Sequence, residues 1–413
     1  MTRMHRDSDR VRAEPEFAFD VEPQELHPGP EPRRGGEAAP RKGRGAVHSP
    51  QGRFETLRRE SADDGWFGGD GEPPALRTTV SVEHARSIIV RNTSPDVPFS
   101  LSINPYRGCE HGCVYCYARP NHSYVGLSPG IDFETRLFAK ADAPALLKRE
   151  LAAASYRCEP INIGSSTDAY QPVEREWRIT RALLEVLAQT RHPVTVITKS
   201  ALIERDIDLL APMARDRLAT AFVTVTTLDA GLARLWEPRA AAPWRRLETI
   251  RRLSEAGIPV GVSVAPIAPF LNEPELERIL EAAQQAGARY AQYMVLRLPW
   301  ELKDLFGAWL TAHFPDRAER VLNRLREMRG GEDSARLNDP RFFSRMKGHG
   351  KWAELIRLRY DVATRKLGLN RDRLNLRTDL FVAPGAEGQL GLFPNEQTTD
   401  GPEPSENKPE EPR

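Results

Sequence analysis

Three of the chain's four cysteines, Cys109, Cys113 and Cys116, fall within eight residues in the stretch RGCEHGCVYCYAR, at spacing C-x3-C-x2-C. Thiols this close in sequence read as ligands for a metal rather than as a disulfide framework. A structural zinc site asks for four donors, commonly two separated pairs. Here the remaining cysteine, Cys158, lies 42 residues beyond Cys116 and is expected to be a small core residue. His111 could complete a Cys3His set, although a place between two ligands makes simultaneous coordination cramped. A [4Fe–4S] cube also takes four thiolates as a rule. Three leave one iron with open positions, and open positions are where a small chelating molecule can bind.

Such a loop needs a scaffold to present it. Short apolar runs at 99–104, 161–164, 194–198, 221–226, 260–265 and 290–295 read as strands, each followed by a segment with apolar residues at helical spacing, such as Leu183, Leu184, Leu187 and Ala188. Strand then helix, repeated, means parallel strands joined by crossovers, in a doubly wound sheet or an incomplete barrel. In both, ligands sit beyond the carboxyl ends of the strands. The cysteines follow the first strand directly. After the second comes GSSTDAYQPVE, where Ser165, Ser166, Thr167 and Asp168 offer hydroxyl and carboxylate acceptors suited to an ammonium group. The alternative, an N-cap for the helix beginning near Glu174, is set back from that helix by several residues. Lys199 follows the third strand, and Thr224 and Thr226 end the fourth. Polar groups in register beyond three successive strands argue against isolated surface positions.

C-x3-C-x2-C with Tyr115 before the last cysteine, placed after the first strand of this pattern, resembles the radical S-adenosylmethionine (radical SAM) superfamily. The resemblance implies an α/β fold, a partial (β/α)6 barrel of parallel strands, with a [4Fe–4S] cluster on Cys109, Cys113 and Cys116. It implies that SAM chelates the fourth iron and is cleaved by one electron to a 5′-deoxyadenosyl radical, with a reductase or flavodoxin-type protein as electron donor. SAM contacts are then expected at Tyr115, Ser165, Ser166, Asp168, Lys199 and Thr226: the amino group at the Ser165–Asp168 turn, the carboxylate at Lys199, and the ribose or carboxylate at Thr226. Within the superfamily, SSTD followed by P, E and then TKS is similar to the branch related to spore photoproduct lyase, which repairs a thymine dimer in DNA; the likeness covers about residues 97–300. It is closer still to uncharacterised bacterial proteins of that branch carrying an RGRGA…RFE-like segment, matched here by KGRGAVHSPQGRFE. In the lyase, a cysteine before the Ser-Asp pair returns hydrogen to the product radical. The corresponding position here is Ser166, whose O–H bond is much stronger than a thiol's, and no residue of this chain is assigned that role.

At 413 residues and 40% hydrophobic content the chain can build a sizeable core. No apolar run approaches the roughly 20 residues needed to cross a bilayer, and the start MTRMHRDSDR has no signal-peptide character, so the expected location is the cytoplasm. Residues 1–76 hold nine Pro and ten Gly without periodicity and are expected to be largely disordered, although RKGRGAVHSPQGRFE within them could dock on the domain or a partner rather than serve as a solvated linker. The barrel and a helical extension over about 301–383 make up residues 77–383, and 384–413 form a second tail. The net charge of +1 hides a basic stretch, 317–377, with 17 Lys and Arg against 8 Asp and Glu, interleaved with Phe342, Phe343, Trp352 and Tyr360. Cations for phosphates and rings for bases suit single-stranded nucleic acid. The alternative is amphipathic helices with the rings turned to the core, and His349 between two glycines reads as a loop residue.

At the head of the tail, Gln389, Leu390, Leu392 and Phe393 resemble the peptide by which bacterial replication and repair proteins bind the sliding clamp, with Gly391 departing from it. Packing of this segment on the barrel is the alternative. The leading expectation is a radical SAM enzyme acting on nucleic acid in a repair-like reaction. Modification of RNA, a peptide or a small molecule is a second reading, and a non-catalytic iron–sulfur or zinc adaptor of repair complexes is a third.

Overall fold

A computed structural model of the chain describes residues 40–55, 76–330 and 337–385. The clamp-like peptide at Gln389, Leu390, Leu392 and Phe393 lies outside them. Ten strands occur among the described residues: β1 Thr79–Val82, β2 Val90–Arg91, β3 Leu101–Ile103, β4 Tyr106–Arg107, β5 Arg136–Ala139, β6 Ile161–Ile163, β7 Val194–Thr198, β8 Ala219–Thr224, β9 Val260–Ile267 and β10 Tyr290–Val295. Seven build one sheet in the order β10-β9-β8-β7-β6-β3-β2, parallel from β3 to β10 and antiparallel only at the short β2 edge.

That order runs one way along the sheet. A doubly wound sheet reverses its strand order and binds ligands at the reversal. With right-handed crossovers and no reversal, every connecting helix falls on the same side, which gives the partial (β/α)6 barrel. All six expected strands are present. The fourth begins at Ala219, two residues before the expected 221, because Ala219 already pairs with Val194.

The side chains alternate accordingly. Leu101, Ile103, Ile161, Ile163, Val194, Val196, Ala221, Val223, Val260, Val262 and Val295 point to the helices and are fully buried in the main core. Each such burial contributes about 1.5–3 kcal/mol for Val- and Leu-sized groups. Most of the intervening residues are polar, apart from the row Ile197, Phe222 and Gly261: register sets Ser102 beside Asn162, Asn162 beside Thr195, Thr195 beside Thr220, and Thr224 beside Ser263, with Gln292 next in line. This inner face lines the barrel.

A second sheet, β1-β5-β4, was not anticipated; its strands run to four residues at most and carry no periodic signal. It fixes the exit of the chain from β3, because β4 leads straight into the cysteine loop and Arg107 is paired with Glu83 at 2.9 Å. In the helical extension, Leu302–His313 and Pro315–Gly330 pack with Trp236 into a second core that includes Phe306, Trp309 and Leu325, whereas Gly350–Leu367 adds Ala353, Ile356, Tyr360 and Ala363 to the main core. In the basic stretch the rings divide. Tyr360 packs on Tyr293 at 4.5 Å and Trp352 on Phe270 at 5.4 Å, whereas Phe342 and Phe343 are exposed. His349 is a loop residue bonded to Asp339 at 2.8 Å. Cys158 is half-buried in the loop before β6 rather than in the core, with Arg157 before it exposed and Glu159 after it partly so.

Residues 40–55 were expected within a disordered region and instead lie against the barrel, with Ala46 and Val47 buried. Their anchor is electrostatic. The backbone N–H groups of Gly45 and Ala46 donate to the buried Glu134 carboxylate at 3.1 and 2.8 Å.

Two histidines make stability depend on pH. His192 is buried between helix Ile179–Gln189 and β7, with Nδ1 against the Pro193 carbonyl at 3.0 Å and Nε2 against the Tyr156 hydroxyl at 2.6 Å, an arrangement that suits the neutral ring. Burial pushes its pKa down to about 4, and that of the buried His122 to about 4 as well. Between about 4 and the unfolded value near 6.5, the unfolded chain therefore binds the extra protons. Stability is full above pH 6.5, falls by up to about 1.4 kcal/mol per unit for each histidine as pH drops, and levels off below about 4. Urea midpoints across this window should flatten in a His122→Gln/His192→Gln variant; an unchanged slope would contradict the assignment.

Candidate active site

The cysteine loop follows β3 and β4 through Gly108, whose φ of +77° and crowding (a Cβ would come 2.6 Å from Leu137 and 2.9 Å from the Phe133 carbonyl) require glycine. Cys109 N donates to that same Phe133 carbonyl at 2.9 Å, and Val114 N to the Trp236 carbonyl at 3.1 Å. From above, Thr167 Oγ1 and Gln171 Nε2 both donate to the Gly108 carbonyl, at 2.7 and 3.2 Å.

From below, the loop is held by Arg119, which is fully buried. Its guanidinium donates to the carbonyls of Cys113 (2.8 Å), Gly112 (3.0 Å), Pro129 (3.1 Å) and Gly130 (2.9 Å), and to Glu134 Oε1 (2.6 Å). All five N–H donors of the side chain are therefore used.

Cys109 and Cys113 are buried and Cys116 is partly exposed, and the three thiols lie within electrostatic range of one another. Burial pushes the Cys113 thiol up to about 12 and Cys109 well above its usual value. A bound cation is what would stabilise their thiolates. Among the described residues no three His, Cys, Asp or Glu side chains converge on a single ion position. A cubane does not ask for that, since each thiolate takes a different iron. Soft donors, sheltered from water on two sides and open at Cys116, fit a [4Fe–4S] cluster with one accessible corner.

The polar groups named from sequence stand at the carboxyl ends of the neighbouring strands. Lys199 is at the end of β7, its ammonium 5.8 Å from the Tyr115 ring centroid, and among the described residues it has no ion-pair partner. Burial works against its charge, but Cys113, Glu237 and Asp168 outweigh this and raise its pKa. Thr226, beyond β8, is buried and its Oγ1 has no hydrogen-bond partner. The Ser165–Ser166 turn is oriented by Asn104, which donates to Ser165 Oγ at 3.1 Å and accepts from Ser166 N at 2.7 Å. Tyr115 is buried against Trp236 and donates its hydroxyl to Glu237, which is paired in turn with the buried Arg246.

Asp168 differs from the expected ammonium acceptor. Its Oδ1 accepts from Tyr170 N (2.9 Å) and Thr198 Oγ1 (2.7 Å), and its Oδ2 from Lys199 N (2.8 Å) with His111 Nδ1 at 3.2 Å. The His111 contact is close without the alignment of a hydrogen bond. Burial acts against the carboxylate, yet His111, Thr198 and the Lys199 N–H hold its pKa well below the usual range. A carboxylate has about four acceptor positions; three are filled by these donors, and the fourth side is covered by His111. Asp168 therefore ties the cysteine loop to β6 and β7.

Sequence reasoning missed Arg119, Glu134, Glu237 and Arg246, charged residues whose types read as surface until the fold buries them. It also missed Asn104, for which a signal existed: it ends the first expected strand. Tyr117, directly after Cys116, was missed too; it donates its hydroxyl to the Ser165 carbonyl and lies under the Arg297 guanidinium at 5.2 Å.

A sequence profile of the radical SAM superfamily matches residues 103–283, from the end of β3 to the helix after β9. The uncharacterised protein Rv2578c of Mycobacterium tuberculosis is 33% identical over 234 residues, 56% of this chain and 68% of that one. The uncharacterised protein MJ0683 of Methanocaldococcus jannaschii is 26% identical over 54% of this chain and 79% of its own. Among solved structures, a variant of spore photoproduct lyase aligns at a TM-score of 0.41 and 16% identity, over 57% of this chain and 66% of the lyase. With the profile laid across the cysteine loop and the strand ends that surround it, the chain belongs to the radical SAM superfamily, and it is an enzyme whose cofactors are a [4Fe–4S] cluster and S-adenosylmethionine.

Proposed function

We propose that the chain holds its cluster through Cys109, Cys113 and Cys116, cleaves SAM reductively, and directs the chemistry at a nucleic-acid base or lesion in the cytoplasm. One observation carries the reading: three clustered thiols, an ammonium without a counter-ion at Lys199 and a buried hydroxyl without a partner at Thr226 share one end of the sheet. A cluster held on these thiols would supply one electron, drawn from an external reductant, for the reductive cleavage of SAM.

The chain's own residues do the rest. Lys199 meets the SAM carboxylate, and the Ser165–Ser166 turn, set by Asn104, meets its amino group. Thr226 takes a ribose hydroxyl or the carboxylate, and Tyr115 closes the pocket beside Lys199. Asp168 positions the loop without touching SAM. The nucleic-acid substrate is supported by Tyr117 and Arg297, a ring and a cation next to Cys116. Ser166, a hydroxyl where the lyase uses a thiol, leaves dimer reversal by that hydrogen donor outside the proposal. No helix among the described residues is long and apolar enough to cross a membrane.

Anaerobic reconstitution with iron and sulfide tests this reading. The wild-type chain should release 5′-deoxyadenosine from SAM with dithionite, and Cys113→Ala should release none. Absence of product from fully loaded wild-type protein would refute it.

For the tail, we propose clamp binding through Gln389, Leu390, Leu392 and Phe393. Retention on immobilised clamp should be lost in Leu392→Ala/Phe393→Ala, and retention equal to wild type would exclude the peptide.

A further inference from the structure

We propose that the rim of the barrel beside the cysteine loop is a track for single-stranded nucleic acid, read by exposed rings and one unpaired arginine distinct from the SAM-binding residues. This rests on the nucleic-acid reading above and adds the form in which the strand is presented.

The rim begins at the segment leaving β10. There Arg53 lies over the Trp300 ring at 4.0 Å, and beside it Phe54 and Tyr124 stack at 5.1 Å. Three residues before Trp300, within about 11 Å at the reach of an extended chain, Arg297 covers Tyr117 next to Cys116. Beyond it, Arg345 sits 4.9 Å from the Phe342 ring centroid and pairs with Asp96 at 2.7 Å, and Arg297 is within electrostatic range of both Arg345 and Asp96.

Seven aromatic side chains are exposed among the described residues, and all but Trp244 belong to this stretch: Phe54, Tyr117, Tyr124, Trp300, Phe342 and Phe343. Single exposed apolar residues need no explanation, but concentration at one mouth of a barrel does. Stacking of bases on such rings contributes about 1–3 kcal/mol per base. Base faces are free only where the strand is unpaired, so the track selects single strands over duplex.

The cations have different tasks. Arg53 is bound to Glu301 at 2.9 Å and Arg345 to Asp96, so both orient rings. Arg297 has no carboxylate partner among the described residues, and its Nε is buried without an acceptor. It is the group left to hold a phosphate as the nucleotide is turned towards Cys116.

Fluorescence anisotropy with a labelled oligodeoxythymidylate and the full chain, without SAM or reductant, tests the track. Trp300→Ala and Phe342→Ala/Phe343→Ala should each weaken binding about tenfold, and Arg297→Gln should reduce the salt slope by about 0.7. These side chains are exposed or at the rim, so unchanged melting of the variants separates lost binding from lost folding. Variants that bind like wild type, or duplex bound as tightly as the single strand, would each overturn the proposal. Release of 5′-deoxyadenosine without binding of the single strand would remove the track alone. Binding without 5′-deoxyadenosine would support the track and remove only the reaction it serves.

Discussion

Arg119→Met will lose iron and about 3–5 kcal/mol of stability, the cost of removing one partner from a buried ion pair. Methionine fills much of the volume but donates nothing. Glu134 is then left fully buried without its guanidinium partner, and the carbonyls of Gly112, Cys113, Pro129 and Gly130 lose their donor together. Two of those carbonyls belong to the loop that carries the thiols, so the damage falls on cluster geometry as well as on the fold. Arg119→Lys restores the charge with three donors in place of five and should retain iron in part. Denaturant unfolding and iron content after reconstitution check both variants, and wild-type values for Arg119→Met would show that the loop keeps its shape without the guanidinium.

Gly45→Val, 64 positions before the first cysteine, is expected to have an effect of the same kind. A Cβ at Gly45 would stand 1.8 Å from the Gly112 carbonyl oxygen and 3.2 Å from Val114 N, backbone atoms that cannot swing aside. Either the docked segment lifts, taking the Gly45 and Ala46 N–H groups from Glu134, or the loop between Cys109 and Cys113 shifts. Overpacking of this kind costs about 1–3 kcal/mol or more. Iron occupancy should fall severalfold, and Arg44 should become open to trypsin. Gly307→Ala, in a helix with nothing within 4 Å of the new methyl, serves as the control and should be neutral or slightly stabilising. Full occupancy in Gly45→Val would mean that the segment lies on the loop without supporting it.

The cysteines and the six parallel strands were legible because their signals are local: a spacing, and an alternation of apolar runs with helical patterns. What escaped was made at a distance. Asp168 read as an acceptor for a ligand because its sequence neighbours are hydroxyls, but beside the local Tyr170 N–H its donors are Thr198 and Lys199 at the end of β7, with His111 of the cysteine loop close by. The docked segment 40–55 stood in the sequence only as an alternative to a linker, for another reason. It binds through backbone N–H groups and a glycine, and these leave no apolar pattern to distinguish it from a solvated linker. In the basic stretch, helical amphipathicity turned Tyr360 and Trp352 inward, whereas Phe342 and Phe343, in a loop, followed no period.

The alternation of the main sheet carries a consequence for how such proteins diversify. Valines and isoleucines that glue strands to helices interleave with Ser102, Asn162, Thr195, Thr220 and Ser263 on the opposite side. A descendant can exchange one set while leaving the other untouched. New chemistry for a new target can thus be tried residue by residue inside the cup, with the folded architecture inherited intact.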